Sequence, residues 1–261
     1  MNAFKILWRI SVAIFVGFAF LYPFINPPEP LLPELPIETE GSQAIPDFSK
    51  ITDVIDKKRA FFDYLLPEVE RQNDYLMSLR LTVKALSNEY SQQGGLTPAD
   101  QHRLEWLVSE YKVPDDLSLS AQLEILLRRV DIIPAELVLV QAANESAWGT
   151  SRFAREGFNL FGLWCFRKGC GFVPKQRIEG AQHEVAKFPN LARATYTYMR
   201  NLNRHNAYKS LRDIRSTLRQ HERPISGVAL SEGLMQYSER GEDYIDELQQ
   251  MIRVNQEYIS L

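Results

Sequence analysis

Apolar positions mark out the segments of the chain before any residue type is considered for chemistry. From Ile10 to Ile25 the run ISVAIFVGFAFLYPFI carries no charge, and Ile6, Leu7 and Trp8 extend it behind Arg9. A run of that length predicts one transmembrane helix. Trp8 and Tyr22 stand near its ends, where aromatic belts form. Lys5 and Arg9 precede it, and Glu29, Glu34, Glu38 and Glu40 follow it before the first later basic residue, Lys50. This asymmetry keeps the short tail inside and sends the rest of the chain out. A cleaved signal peptide is the rival reading, but no small-x-small site follows Phe18, so an uncleaved anchor is expected.

The next stretch, NPPEPLLPELPIETEGSQAIP from Asn26 to Pro46, has too much proline for helix or sheet. It reads as a stiff spacer able to hold a domain up to about 60 Å from a membrane surface. Helical periodicity then takes over from Ile51 to about Ser91, with Val54, Ile55, Phe62, Leu65, Leu66, Val69, Leu76, Leu79 and Val83 recurring at steps of three and four. Pro67 predicts a break or kink. The repeat is not a clean heptad, so a helical hairpin packed on the main domain is favoured over a coiled-coil arm that docks a protein partner.

Gln92-Gln93-Gly94-Gly95 ends that region, and Thr97-Pro98 predicts a capped helix to about Tyr111. A shorter helix is expected from Ser118 or Ser120 to Val130, and Pro134 launches an apolar one through Leu137 to Ala143 that ends near Glu145. The expected organisation is residues 1–26 tail and anchor, 27–48 linker, 49–130 helical region and 131–261 a further domain.

Composition adds exclusions. A net charge of −3 supplies no basic field for nucleic acid. The two cysteines and four histidines show no metal-ligand spacing, so no cofactor is expected. The chemistry concentrates in QAANESAWGTSRFAREGFNLFGLWCFRKGC, Gln141 to Cys170. A carboxylate at the end of an apolar helix has its charged form disfavoured, which poises Glu145 as a general acid. Trp148, Phe153, Phe158, Phe161 and Trp164 offer ring faces of the kind on which sugars stack; the alternative is that they are core and Glu145 is a solvated helix end.

Glu145-Ser146-Ala147-Trp148-Gly149-Thr150-Ser151, then Ala154, then Asn159-Leu160-Phe161-Gly162 closely resembles the ESGWGxS…A…NNLFG signature of the peptidoglycan β-N-acetylglucosaminidase family, the mannosyl-glycoprotein endo-β-N-acetylglucosaminidase-like domain. Ala147 and Phe158 depart from the signature without removing the acid. The layout of anchor, helical region and C-terminal domain is similar to that of bacterial Bax-type membrane-anchored members. The resemblance implies a mainly α (α+β), lysozyme-like domain with a small β-hairpin lobe. It also implies hydrolysis of the β-1,4 bond after N-acetylglucosamine in peptidoglycan, in the periplasm, by a single-pass inner-membrane protein.

Glu145 then matches the family's general acid. The family's second carboxylate sits on a β-hairpin, here Gly171 to Phe188 with a turn near Gly180; Glu184 is favoured and Glu179 is the alternative. Leu234 to Ser238 resembles the stretch whose tyrosine lines the active site, so Tyr237 inherits that role. Trp148, Phe161, Trp164, Glu179 and Asn159 are the expected substrate contacts, while His205 and Tyr208 read as structural or cleft-lining. Gly233-Leu234-Met235-Gln236 is similar to a block of lytic transglycosylases, but stands too far beyond Glu145 to carry that reaction. In an oxidising compartment Cys165 and Cys170 are candidates for a disulfide, with two reduced cysteines as the alternative. A different class of function stays open: a tethered peptidoglycan-binding or scaffold protein that cuts little or nothing.

Overall fold

The computed structural model describes residues 8, 15, 18, 32–37, 44–174 and 183–259. It falls into two compact units, Met1–Leu32 and Pro33–Leu261. The expected transmembrane span lies outside the described residues apart from Phe15 and Phe18. Among the described residues no helix is long and apolar enough to cross a membrane.

The first helix of the second unit, α1 (Val54–Gln93), starts where the Asp53 carboxylate accepts the N–H groups of Ile55 and Asp56, and ends at Gly94 in the left-handed conformation. It is one continuous helix in place of the expected hairpin, and it runs through Pro67. An interior proline costs about 3 kcal/mol. Against this stand the buried Phe61, Phe62, Leu65, Leu66, Val69, Leu76, Leu79 and Val83, each contributing roughly 1.5–3 kcal/mol, so packing decides the outcome. That stripe is spent on the body of the protein, against α3 (Leu119–Arg129), α4 (Ala135–Ser146) and α6 (Leu191–Arg204).

The capping expectations have direct counterparts. Thr97 caps α2 (Pro98–Glu110) with Pro98 in its first turn, Ser118 caps α3, and α4 follows Pro134. Leu137 to Ala143 of α4 are buried on every side, as expected of a helix apolar all round, so α4 is the central rod. Against it pack α1, α8 (Gly227–Ser231) and α9 (Glu242–Asn255), and α5 (Arg152–Gly157), α6 and α7 (Lys209–Gln220) complete the domain. A small sheet of β1 (Trp164–Cys165), β2 (Gly171–Phe172) and β3 (Glu184–Ala186) has the order β1-β3-β2, with both pairings antiparallel. β2 and β3 are the arms of the expected hairpin, whose turn near Gly180 lies outside the described residues. A Cβ at Gly171 would stand 1.9 Å from the Val185 carbonyl oxygen, so this pairing requires glycine.

The proline-rich stretch is not a free spacer along its length. Gln72 donates to the Pro36 carbonyl at 2.8 Å and Asn190 to that of Ile37 at 3.1 Å. Beyond it, Phe48 is buried edge-on against Phe61 and Tyr64.

At the α3–α4 junction Asp131 is 2% exposed. It meets Arg219 at 2.8 Å, Arg80 at 3.3 Å and Arg215 at 3.9 Å. This ion cluster ties α1 and α7 to the start of the central helix.

Candidate active site

The site is built on an abrupt turn. Beyond Glu145, Ala147, Trp148 and Gly149 take φ values of 51°, 59° and 73° in succession. Two of them carry side chains, and each costs about 1–2 kcal/mol in the left-handed region. The turn is held from inside: the buried Ser146 hydroxyl donates to the Ala142 carbonyl at 2.6 Å and accepts the Gly149 N–H at 2.8 Å. The Trp148 ring packs on Phe62 at 5.3 Å and Phe61 at 5.8 Å. α4 therefore stops one residue past Glu145.

Glu145 is half-buried. Its Oε1 accepts the Tyr244 hydroxyl of α9 at 2.9 Å. Its Oε2 lies toward Gly162, where a Cβ would stand 3.2 Å away, and Gly162 itself has φ +63°. Burial holds the Glu145 carboxyl above its usual range and the Glu247 charge adds to this, while the Tyr244 hydrogen bond and Arg240 oppose it. A carboxyl whose charged form is disfavoured holds its proton to higher pH and is able to donate it to a leaving oxygen.

Behind Tyr244 runs a chain of buried polar groups. The Tyr244 oxygen accepts Gln141 Nε2 at 3.0 Å, and Gln141 Oε1 accepts the Tyr198 hydroxyl of α6. Gln141 lies one helical turn before Glu145 on the same face of α4. Neither Gln141 nor Tyr198 was singled out from the sequence. The available signal was a glutamine inside the apolar run LVLVQAA, four residues before the acid.

Several expected contacts have other partners. Trp148 faces α1, as above. Phe161 is buried and stacked on Tyr198, with ring centroids 4.1 Å apart. Asn159 is 2% exposed; its amide donates to the Leu163 and Ala186 carbonyls at 2.8 and 2.9 Å and accepts the Leu163 N–H at 2.9 Å, which pins the loop to the sheet. Tyr237 donates to the Phe161 carbonyl at 2.8 Å and stacks on Tyr244 at 5.7 Å. It packs beside Tyr244, the tyrosine that touches Glu145. Phe153 packs on Phe172, and Tyr208 is buried beside Tyr237. Trp164 alone of the five candidate rings is strongly exposed, at 55%, with one face on His183 at 4.0 Å.

Glu184 engages backbone amides of the neighbouring loop. It is buried on β3, with Oε1 accepting the Gly169 N–H and Oε2 the Gly171 N–H, both at 2.9 Å. It thereby clamps the loop closed by the Cys165–Cys170 disulfide. The two sulfurs and this carboxylate lie within 4.8 Å of one another, but sulfurs bonded to each other offer no thiolate to a metal. Glu179 lies outside the described residues.

Comparison with known proteins adds to this geometry. The model of the Glucosaminidase family, described as mannosyl-glycoprotein endo-beta-N-acetylglucosaminidase, matches residues 121–257. Protein bax of Escherichia coli (strain K12) is 33% identical over 220 residues, covering 84% of this chain and 77% of that protein. No solved structure matches the chain.

Proposed function

This chain belongs to the mannosyl-glycoprotein endo-β-N-acetylglucosaminidase family, and on that premise we propose that it hydrolyses the β-1,4 bond after N-acetylglucosamine in peptidoglycan, with Glu145 as general acid. The observation that carries the reading is the position of Glu145: half-buried at the end of the central apolar helix, held by Tyr244, with its carboxyl raised by burial. Protonated, it donates to the glycosidic oxygen as the bond to the sugar ring breaks. Trp164, the one strongly exposed ring of the five candidates, is the face on which we place a sugar.

The same reading carries the location: an uncharged run from Ile10 to Ile25 as the inner-membrane anchor and a periplasmic body, for which the disulfide Cys165–Cys170 speaks because such bonds persist in oxidising compartments.

The test is to incubate the full chain with purified peptidoglycan, reduce the released fragments and identify their ends by mass spectrometry. Reducible N-acetylglucosamine ends support the proposal, and anhydro-muramyl ends reassign the chain to transglycosylases. Release of nothing by the folded protein favours the tethered binder, a reading supported by the engagement of Glu184 with loop amides.

Two further results are expected. Because Glu145 must be protonated to act and its carboxyl is raised, the cleavage rate falls as pH climbs through a midpoint above the ordinary glutamate value of about 4.3. A pH–rate profile with its descending limb at or below that value contradicts this. Glu184→Gln turns one acceptor into a donor facing the Gly169 or Gly171 amide, at a cost of about 1–3 kcal/mol. It should lower the melting temperature while keeping kcat within about tenfold, whereas loss of a catalytic nucleophile or base removes at least 10²-fold. Calorimetry beside kinetics separates the two.

A further inference from the structure

The polar chain behind Glu145 has a direction that its chemistry dictates. An amide oxygen only accepts, so Tyr198 donates its proton to Gln141 Oε1. An amide nitrogen only donates, so Gln141 Nε2 gives a proton to the Tyr244 oxygen at 3.0 Å. Tyr244 has a single proton, and with its oxygen engaged from behind that proton points at Glu145 Oε1, 2.9 Å away. Gln141 and Tyr198 are both fully buried. Reversing either bond would leave a buried donor or acceptor facing its own kind, which buried polar groups avoid.

We infer that Gln141, oriented by Tyr198, is a positioning residue that keeps Tyr244 donating to Glu145 Oε1, so that the proton delivered to the glycosidic oxygen is carried on Oε2. This rests on the reading of Glu145 as the general acid. Oε2 lies toward Gly162, where the missing side chain leaves that oxygen approachable. In the delivery step the Oε2–H bond breaks, the proton forms a bond to the glycosidic oxygen, and the electron pair stays on a carboxylate already hydrogen-bonded at Oε1. The hydrogen bond thus strengthens as charge develops.

Among the described residues, the titratable and charged groups around Glu145 are Tyr198 from α6; Tyr208 and Tyr237 from the segments after α6 and α8; Tyr244 and Glu247 from α9; and Arg240, which pairs with Glu247 at 2.7 Å. None of these is changed by substituting Gln141.

The test uses the full chain with 13C-labelled glutamate. The Glu145 resonance, assigned by its loss in Glu145→Gln, is titrated in the native protein, in Gln141→Met and in Tyr198→Phe. Both variants free Tyr244 to turn its proton away, so both raise the Glu145 midpoint, by about half to one unit. Combining them adds little, because they interrupt one chain. On peptidoglycan fragments kcat falls roughly tenfold with KM held within about twofold. Tyr198→Phe removes a single oxygen atom and serves should Gln141→Met fail to fold. Midpoints unmoved in both variants, moved in opposite directions, or additive in the double variant overturn the inference. The titration reads Glu145 without any turnover. A moved midpoint together with undiminished cleavage by Glu145→Gln therefore shows that the general-acid reading has failed while the relay stands.

Discussion

Glu145→Gln is expected to reduce glycan cleavage by about 10²–10⁴-fold, the range that general-acid catalysis supplies. Glutamine has almost the same size and still accepts the Tyr244 hydroxyl through its carbonyl oxygen, so the contact at Oε1 survives while the donated proton is lost. The fold should not suffer. Burial holds the native carboxyl above its ordinary value, and a raised group contributes stability that is complete below its unfolded value of about 4.3 and lost as pH rises through the folded one. At pH 7 the native protein therefore bears the cost of ionising a half-buried acid, and the glutamine variant does not. The variant should melt at or slightly above the native temperature at pH 7, with no such gain at pH 4. Cleavage within about tenfold of native, in a variant that melts normally, removes Glu145 from the mechanism and leaves the family without its acid in this chain.

Asp131→Ala is expected to cost about 3–5 kcal/mol of stability, the cost of breaking a buried ion pair by removing one partner. Three guanidinium groups converge on this carboxylate. Arg215, 1% exposed, is already pushed down to about 10 by burial. Its remaining bonds are to neutral acceptors: the Asp131 and Ile132 carbonyls, the Asn203 side chain and the Arg128 and Arg129 carbonyls. Without Asp131 its charge is uncompensated and repelled by Arg80 and Arg219.

For Asp131 itself, burial pushes the carboxyl up, but the Arg219 hydrogen bond and the charges of Arg215, Arg80 and Arg219 outweigh it and leave it below its usual value. A depressed carboxylate contributes stability that is present above its unfolded value, about 3.9, and lost as pH falls through the folded one. Denaturant unfolding at pH 7 and pH 3 should show the native and Asp131→Ala proteins drawing closer together at pH 3. A difference under about 1 kcal/mol at pH 7 contradicts the assigned role of the cluster.

What the amino-acid sequence by itself determined is local in origin. Thr97 with Pro98, Ser118 and Pro134 mark helix starts because a short polar side chain or a locked φ satisfies the first turn wherever it occurs. The stripe at three and four residue steps in α1, the wholly apolar run of α4 and Glu145 at its end were legible for the same reason, whereas a hairpin over Gly171–Phe188 came from the family resemblance and its register from the structure. Tertiary structure decided what each group meets. Pro67 stays inside a helix because buried faces on both sides of it outweigh one lost backbone bond. Trp148 and Phe161 look like sugar platforms in sequence, but Trp148 packs on Phe61 and Phe62 and Phe161 is buried on Tyr198, while Asn159 fastens a loop and Glu184 accepts two loop amides. Tyr244, 99 residues beyond Glu145, reaches its carboxylate, a contact that nothing local signals. A residue type states which bonds a side chain is able to make; burial and neighbours brought together from distant parts of the chain select which of them it makes.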